Sequence, residues 1–237
     1  MSSDPAISTD IGWVLGLLQA TDSLYPTGAY AHSFGLEGMV DAGVVRDRAG
    51  LRQFLLTSVL PTLRQVELPL VAHAWAAFGR EDWKTVGELC DLSAALRTPR
   101  EIRAASVAIG RQRAELLAQV QRAPLAVAYL ARAGAAGWPH SAAVSAALEA
   151  RVHGAPLSAA LAATCYAAVA GIVAAAMKVL RLGQNAAQAL LTEALARCPD
   201  VSAAAREVGV DDIGWFNPWL DVAAARHETS AARLFIS

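Results

Sequence analysis

Apolar residues along this chain fall at helical spacing, most plainly between positions 83 and 96, and no run alternates with period two for long enough to make a strand. Ala and Leu are abundant and β-branched residues scarce, which weighs the same way. Capping and breaking residues then divide the chain into helices. Asp10 is placed to cap a helix over 11–20, and a turn-rich loop over 22–27 surrounds Pro26. A short helix follows His32 and ends near Gly43, with Ser33 as its N-cap. Asp47 opens another, which Pro61 should interrupt before a further helix runs toward Phe78 and Gly79. After 83–96, Thr98-Pro99-Arg100-Glu101 reads as a strong start: Thr at the cap, Pro at the first position, Glu three after the cap. That helix should reach about Val120. Pro124, Pro139 and Pro156 each start a helix, and Gly183 ends the last of these as its C′ residue. Helices over 184–197 and 201–208 complete the set. The expectation is an all-α, single-domain irregular helical bundle around a long Ala-rich central helix. Residues 1–9 read as a loose N-terminal leader.

The segment 154–177 carries no charged side chain and is long enough to span a bilayer. It is mostly Ala, however, with Ser158, Thr164, Cys165, Tyr166 and Gly171 interspersed and little Leu, Ile or Phe to drive insertion. Small residues all round a helix fit the centre of a soluble bundle, so no membrane partner is expected. Hydrophobic residues make up 55% of the chain, which excludes disorder, and the formal net charge of -1 removes any electrostatic case for nucleic acid. The three cysteines form no C-x-x-C pair, which fits a reducing, cytoplasmic setting.

Two stretches stand out chemically. In the first, Asp22 and Ser23 can bond neighbouring backbone, Pro26 and Gly28 set a turn, and His32, Ser33 and Glu37 lie where the next helix begins. In the second, the tail over 226–237, an Arg226-His227-Glu228 cluster is followed by Arg233, Leu234 and Phe235 at the end of the chain. Large apolar residues in such a place need somewhere to be buried, either on the chain's own core or on a partner. Arg103, Ser106 and Gly110 share a face of one helix, and a close helix approach would account for Gly110. Lys178 and Arg181 suit a helix C-terminus. There is no G-x-x-x-x-G-K-[ST] loop and no G-x-S-x-G elbow, and the five histidines lack the spacing of a closed metal site. Two chemical alternatives stay open: a cofactor-free helical enzyme using His32 with Asp22 or Glu37, and a metal held by His227 or His32 across a symmetric interface.

These stretches resemble the UreF family of urease accessory proteins. The resemblance rests on Asp22-Ser23-x-x-Pro26-x-Gly28-x-x-x-His32-Ser33-x-Gly35-Leu36-Glu37, Arg100-Glu101-x-Arg103-x-x-Ser106, Leu182-Gly183-Gln184-x-x-x-Gln188, and Arg226-His227-Glu228-x-x-x-x-Arg233-Leu234-Phe235-x-Ser237, in that order. Arg181 stands where proline is expected, and the aromatic segment over 211–219 is unusual. The resemblance implies a non-catalytic, cytoplasmic homodimer acting in nickel urease maturation. It implies a scaffold that joins a UreD/UreH-type protein, recruits the GTPase UreG and docks on apo-urease. Nickel and GTP would come with UreG, and no cofactor or metal is expected on this chain; the alternative is a direct nickel chaperone with ligands shared across a dimer. By the same resemblance, Arg226, His227, Glu228, Arg233, Leu234 and Phe235 would meet the UreD/UreH-type protein. His32, Glu37 and Lys178 would meet UreG or gate nickel transfer.

Overall fold

The computed structural model describes residues 11–29, 32–228 and 234–235. Every regular element in these residues is helical. In order they are α1 (Gly12–Thr21), α2 (Leu36–Asp41), α3 (Arg48–Phe54), α4 (Leu60–Thr62), α5 (Leu68–Gly79), α6 (Trp83–Ala95), α7 (Arg100–Gln119), α8 (Pro124–Ala136), α9 (Ala142–Val152), α10 (Leu157–Val179), α11 (Gln184–Leu195), α12 (Cys198–Ala205) and α13 (Pro218–His227).

The central element is α9, which packs between α5 and α7. Seven of its eleven residues are buried, including Val144, Ala147, Leu148 and Glu149. The Ala-rich α10 buries eight of its 23 residues, against α1, α2, α5, α9, α11 and α12. It is the one helix among the described residues long and apolar enough to cross a membrane, with somewhat under half of its most apolar stretch buried. Small side chains let the axes approach. A Cβ on Gly110 would lie 2.5 Å from the Ser141 backbone, so α7 meets the start of α9 as Gly110 allows. Ser106 adds to the same seam, its hydroxyl accepting the Ala142 N–H at 3.2 Å.

Several helix limits differ from those expected. Pro61 does not interrupt its helix: backbone in the right-handed helical region continues from Arg48 to Gly79 through π-helical turns at Leu55–Val59 and Leu63–Glu67. Widening the turn moves the carbonyl that a proline ring would strike, and so absorbs its missing N–H. Thr98 does not cap α7. Pro99 occupies the N-cap position, with no side-chain cap. Pro139 lies before α9, which Ser141 caps by accepting the Val144 N–H. Gly183 is not a C′ residue: it stands at the N-cap of α11 with φ of -70°, and Arg181 takes the positive φ between the two helices. Ser33 is two residues early as N-cap of α2; that place belongs to Gly35, at φ of 88°, although Ser33 Oγ accepts the Glu37 N–H at 3.2 Å. Asp10 and the 1–9 leader lie outside the described residues. Helix α13 was not expected, and Asn217 caps it by accepting the Leu220 N–H.

Candidate functional site

The candidate site is built where α13 crosses α2. On α2, Glu37 and Asp41 are four residues apart and so share a face. Two glycines let α13 come down on that helix. A Cβ on Gly38 would sit 2.6 Å from the Ala223 carbonyl oxygen, and one on Gly35 would sit 2.7 Å from Leu220. The crossing delivers His227, the last residue of α13, between the two carboxylates. Its Nδ1 is 3.1 Å from Asp41 Oδ2, and its Nε2 is 3.1 Å from Glu37 Oε2. The Nε2 contact has ion-pair distance without the alignment of a hydrogen bond. His227 and Glu37 are both buried.

Glu37 also holds the chain terminus. Its Oε1 accepts the Leu234 N–H at 2.8 Å and its Oε2 accepts the Phe235 N–H at 2.9 Å. A buried carboxylate that accepts two backbone donors and faces a histidine is one of the few ways such a charge is kept inside. Phe235 is buried, with Lys178 Nζ 5.3 Å from its ring centroid, whereas Leu234 remains 69% exposed. At the edge of the site Arg100 forms an ion pair with Glu228. The structure thus brings Glu37, Lys178, His227, Leu234 and Phe235 into one cluster. Arg233 lies outside the described residues.

The remaining sequence candidates serve other parts of the surface. His32 is buried with its ring 6.1 Å from that of Phe34, and burial pushes its pKa down against the opposing pull of Glu101. Asp22 accepts the Leu24 N–H at 2.7 Å and holds its own loop, in which Ser23, Pro26 and Gly28 are exposed and Gly28 has φ of 81°. Arg103 donates to the Arg97 carbonyl at 2.8 Å. Gln184 opens α11 on the exposed surface, and Arg226 is also exposed. Asp22 thus serves its own loop and Glu37 the tail.

Sequence reasoning missed a second polar centre. Buried Glu149 on α9 accepts from the Tyr25 hydroxyl at 2.5 Å and lies 3.1 Å from Arg113 Nε. Burial and the Glu149 charge push the Tyr25 phenol up, which keeps it a donor. Glu67 is 2.6 Å from buried Arg97, whose guanidinium also donates to the Ser93 carbonyl and hydroxyl. These extra bonds offset the desolvation that makes such pairs costly. Both pairs line a partly open cavity of about 290 Å³ whose wall is otherwise largely apolar, as at Phe34, Leu63 and Ile109. A lone carboxylate in an otherwise Ala- and Val-rich helix was the available signal. Among the described residues, no three His, Cys, Asp or Glu side chains converge as a metal-binding group.

An all-α body with a carboxylate strapping down its C-terminal helix and tail defines the class of chain. Its family follows from comparison with known proteins. The UreF family model matches residues 45–195. The urease accessory protein UreF of Methylibium petroleiphilum is 35% identical over 233 residues, covering 98% of this chain and 98% of that protein. The protein of the same description from Arthrobacter sp. (strain FB24) is 34% identical over 226 residues, covering 94% and 96%. That of Azoarcus sp. (strain BH72) is 34% identical over 232 residues, covering 94% and 95%. The chain belongs to the UreF family of urease accessory proteins.

Proposed function

We propose that this chain is a non-catalytic scaffold in urease maturation, acting in the cytoplasm. It joins a UreD/UreH-type protein and recruits the GTPase UreG to apo-urease, where nickel is inserted at the expense of GTP carried by UreG. The observation that carries the reading is the clamp on the tail. Glu37 fixes the Leu234 and Phe235 backbone, and Leu234 stands outward as an apolar peg. Such a peg, presented on a fixed backbone, costs little ordering entropy when a partner covers it. The tail cluster is therefore assigned to the UreD/UreH-type partner, with Arg226 exposed beside it and Glu228 tied to Arg100.

Lys178 joins this surface from α10 and is assigned, with His32 and Glu37, to UreG recruitment or to gating of nickel transfer. Homodimerisation is supported by the uncovered apolar faces of two adjacent helices: Leu15 and Leu18 on α1 and Tyr166 on α10 are exposed, and α1 packs on α10.

The test is size-exclusion chromatography with light scattering on this chain mixed with purified UreD/UreH-type protein and nickel- and GTP-loaded UreG. The reading predicts one assembly containing two copies of this chain, and a chain ending at Glu228 that no longer enters it. A monomer that meets neither partner would overturn it.

A further inference from the structure

A second exposed surface is built from residues other than those of the tail clamp. The π-interrupted helix contributes Leu56, Leu60 and Pro61 to an open groove, α12 contributes Val201, and the segment before α13 contributes Trp215. That segment is tied to the groove wall by the Gly214 N–H, which donates to the Gln65 carbonyl at 3.0 Å. It leaves Trp215 45% exposed and Phe216 84% exposed. Consecutive uncovered aromatics of this size are costly to leave in water without a use, and Trp is among the residues that dominate binding energy.

The rim gives the charge of the occupant. Arg64 and Arg197 line the same groove, both are exposed, and neither has a carboxylate within ion-pair distance among the described residues. A guanidinium offers a planar fork suited to carboxylates. Asp200 also lines the groove and would repel a run of acids. The Gln65 amide oxygen is buried in the groove wall without a hydrogen-bond donor. The fitting chemistry is thus an apolar stretch broken by one or two carboxylates, with backbone N–H groups to spare.

We infer that this groove is a protein-docking site separate from the tail, taking an apolar segment with one or two acidic side chains from a partner protein of the urease maturation assembly. The inference rests on the scaffold reading above. It assigns a second surface, so one chain can hold two partners at once without competition for the tail.

The test is binding of the full-length chain to purified UreD/UreH-type protein, UreG and apo-urease, each measured separately by calorimetry at low and high salt. Wild type is compared with Arg64→Glu/Arg197→Glu, with Trp215→Ala and with a chain ending at Glu228. Circular dichroism and thermal melting check that each variant folds. The expected result is that one partner binds the charge-reversed variant at least tenfold more weakly, in a salt-sensitive way, and Trp215→Ala more weakly too. The shortened chain would keep that partner. If every partner binds the groove variants as it binds wild type, the groove assignment is overturned and the scaffold reading stands. If wild type binds none of them, both fall. If the groove variants instead lose only self-association, the surface belongs to a second copy of this chain and the partner assignment is overturned.

Discussion

Phe235 donates its amide N–H to Glu37 across 198 residues of sequence, at 2.9 Å, and the neighbouring Leu234 amide bonds the other oxygen of the same carboxylate. Hydrogen bonds to a charged acceptor contribute about 1.5–3 kcal/mol each. Glu37→Ala is therefore expected to cost about 3 kcal/mol in urea denaturation and to release the tail. Hydrogen exchange at the Leu234 and Phe235 amides would report that release, and exchange as slow as in wild type would refute the clamp.

Lys178 acts on the same tail through the Phe235 ring at 5.3 Å. An exposed cation–π contact is worth about 0.5–1 kcal/mol. Lys178→Ala should leave the melting temperature almost unchanged and speed exchange at Phe235 several-fold, while recruitment of UreG falls. Normal recruitment by this variant would remove Lys178 from the proposed partner surface.

Two glycines should respond to alanine with opposite sign. Gly38→Ala places a Cβ 2.6 Å from the Ala223 carbonyl oxygen, which is backbone and cannot swing aside. Overpacking of this kind costs about 1–3 kcal/mol, and α13 should lift from α2. Gly171→Ala, inside α10, meets nothing within 4 Å and should gain about 1 kcal/mol from helix propensity. Chemical denaturation of the two variants decides it. A stabilised Gly38→Ala would mean that the α2–α13 crossing is not as described.

Burial lowers the pKa of both His32 and His140 from the ordinary value of 6.5; for His140 the Arg111 charge adds to the effect. Below pH 6.5 the unfolded chain then binds more protons than the folded one. Their contribution to stability is complete above that pH and is lost as pH falls through the lowered folded-state values. Denaturant midpoints should be lower at pH 5.5 than at pH 7.5, and His32→Gln should narrow the difference. An equal difference in that variant would show that His32 has no part in it.

Local chemistry made some of this architecture legible in the sequence. Pro124 does open α8, and the burial of Gly110 against Ser141 follows from a glycine kept inside a helix. Pro61 misled because a helix can widen its turns to take a proline, a tertiary accommodation with no local mark. Helix α13 escaped notice because Trp215-Phe216-Asn217-Pro218 reads as loop until Asn217 is seen as its cap. The residues of the site were readable as chemistry, but their meeting was not. Glu37, Lys178 and His227 come from three helices, and only the approach allowed by Gly35 and Gly38 places them together. Glu149 was hidden for a similar reason. A charge on α9 looks solvent-facing until Arg113 and Tyr25 arrive from elsewhere to pair with it.

The proposed scaffold role requires that urease acquire its nickel through an assembly this chain holds together. The most direct measurement is the nickel content and activity of urease purified from cells that carry the urease and other accessory genes, with this chain present, absent, or ending at Glu228. The account predicts nickel-poor, inactive urease without the chain, recovery with the full chain, and little recovery with the shortened one. Fully loaded, active urease in its absence would contradict the account.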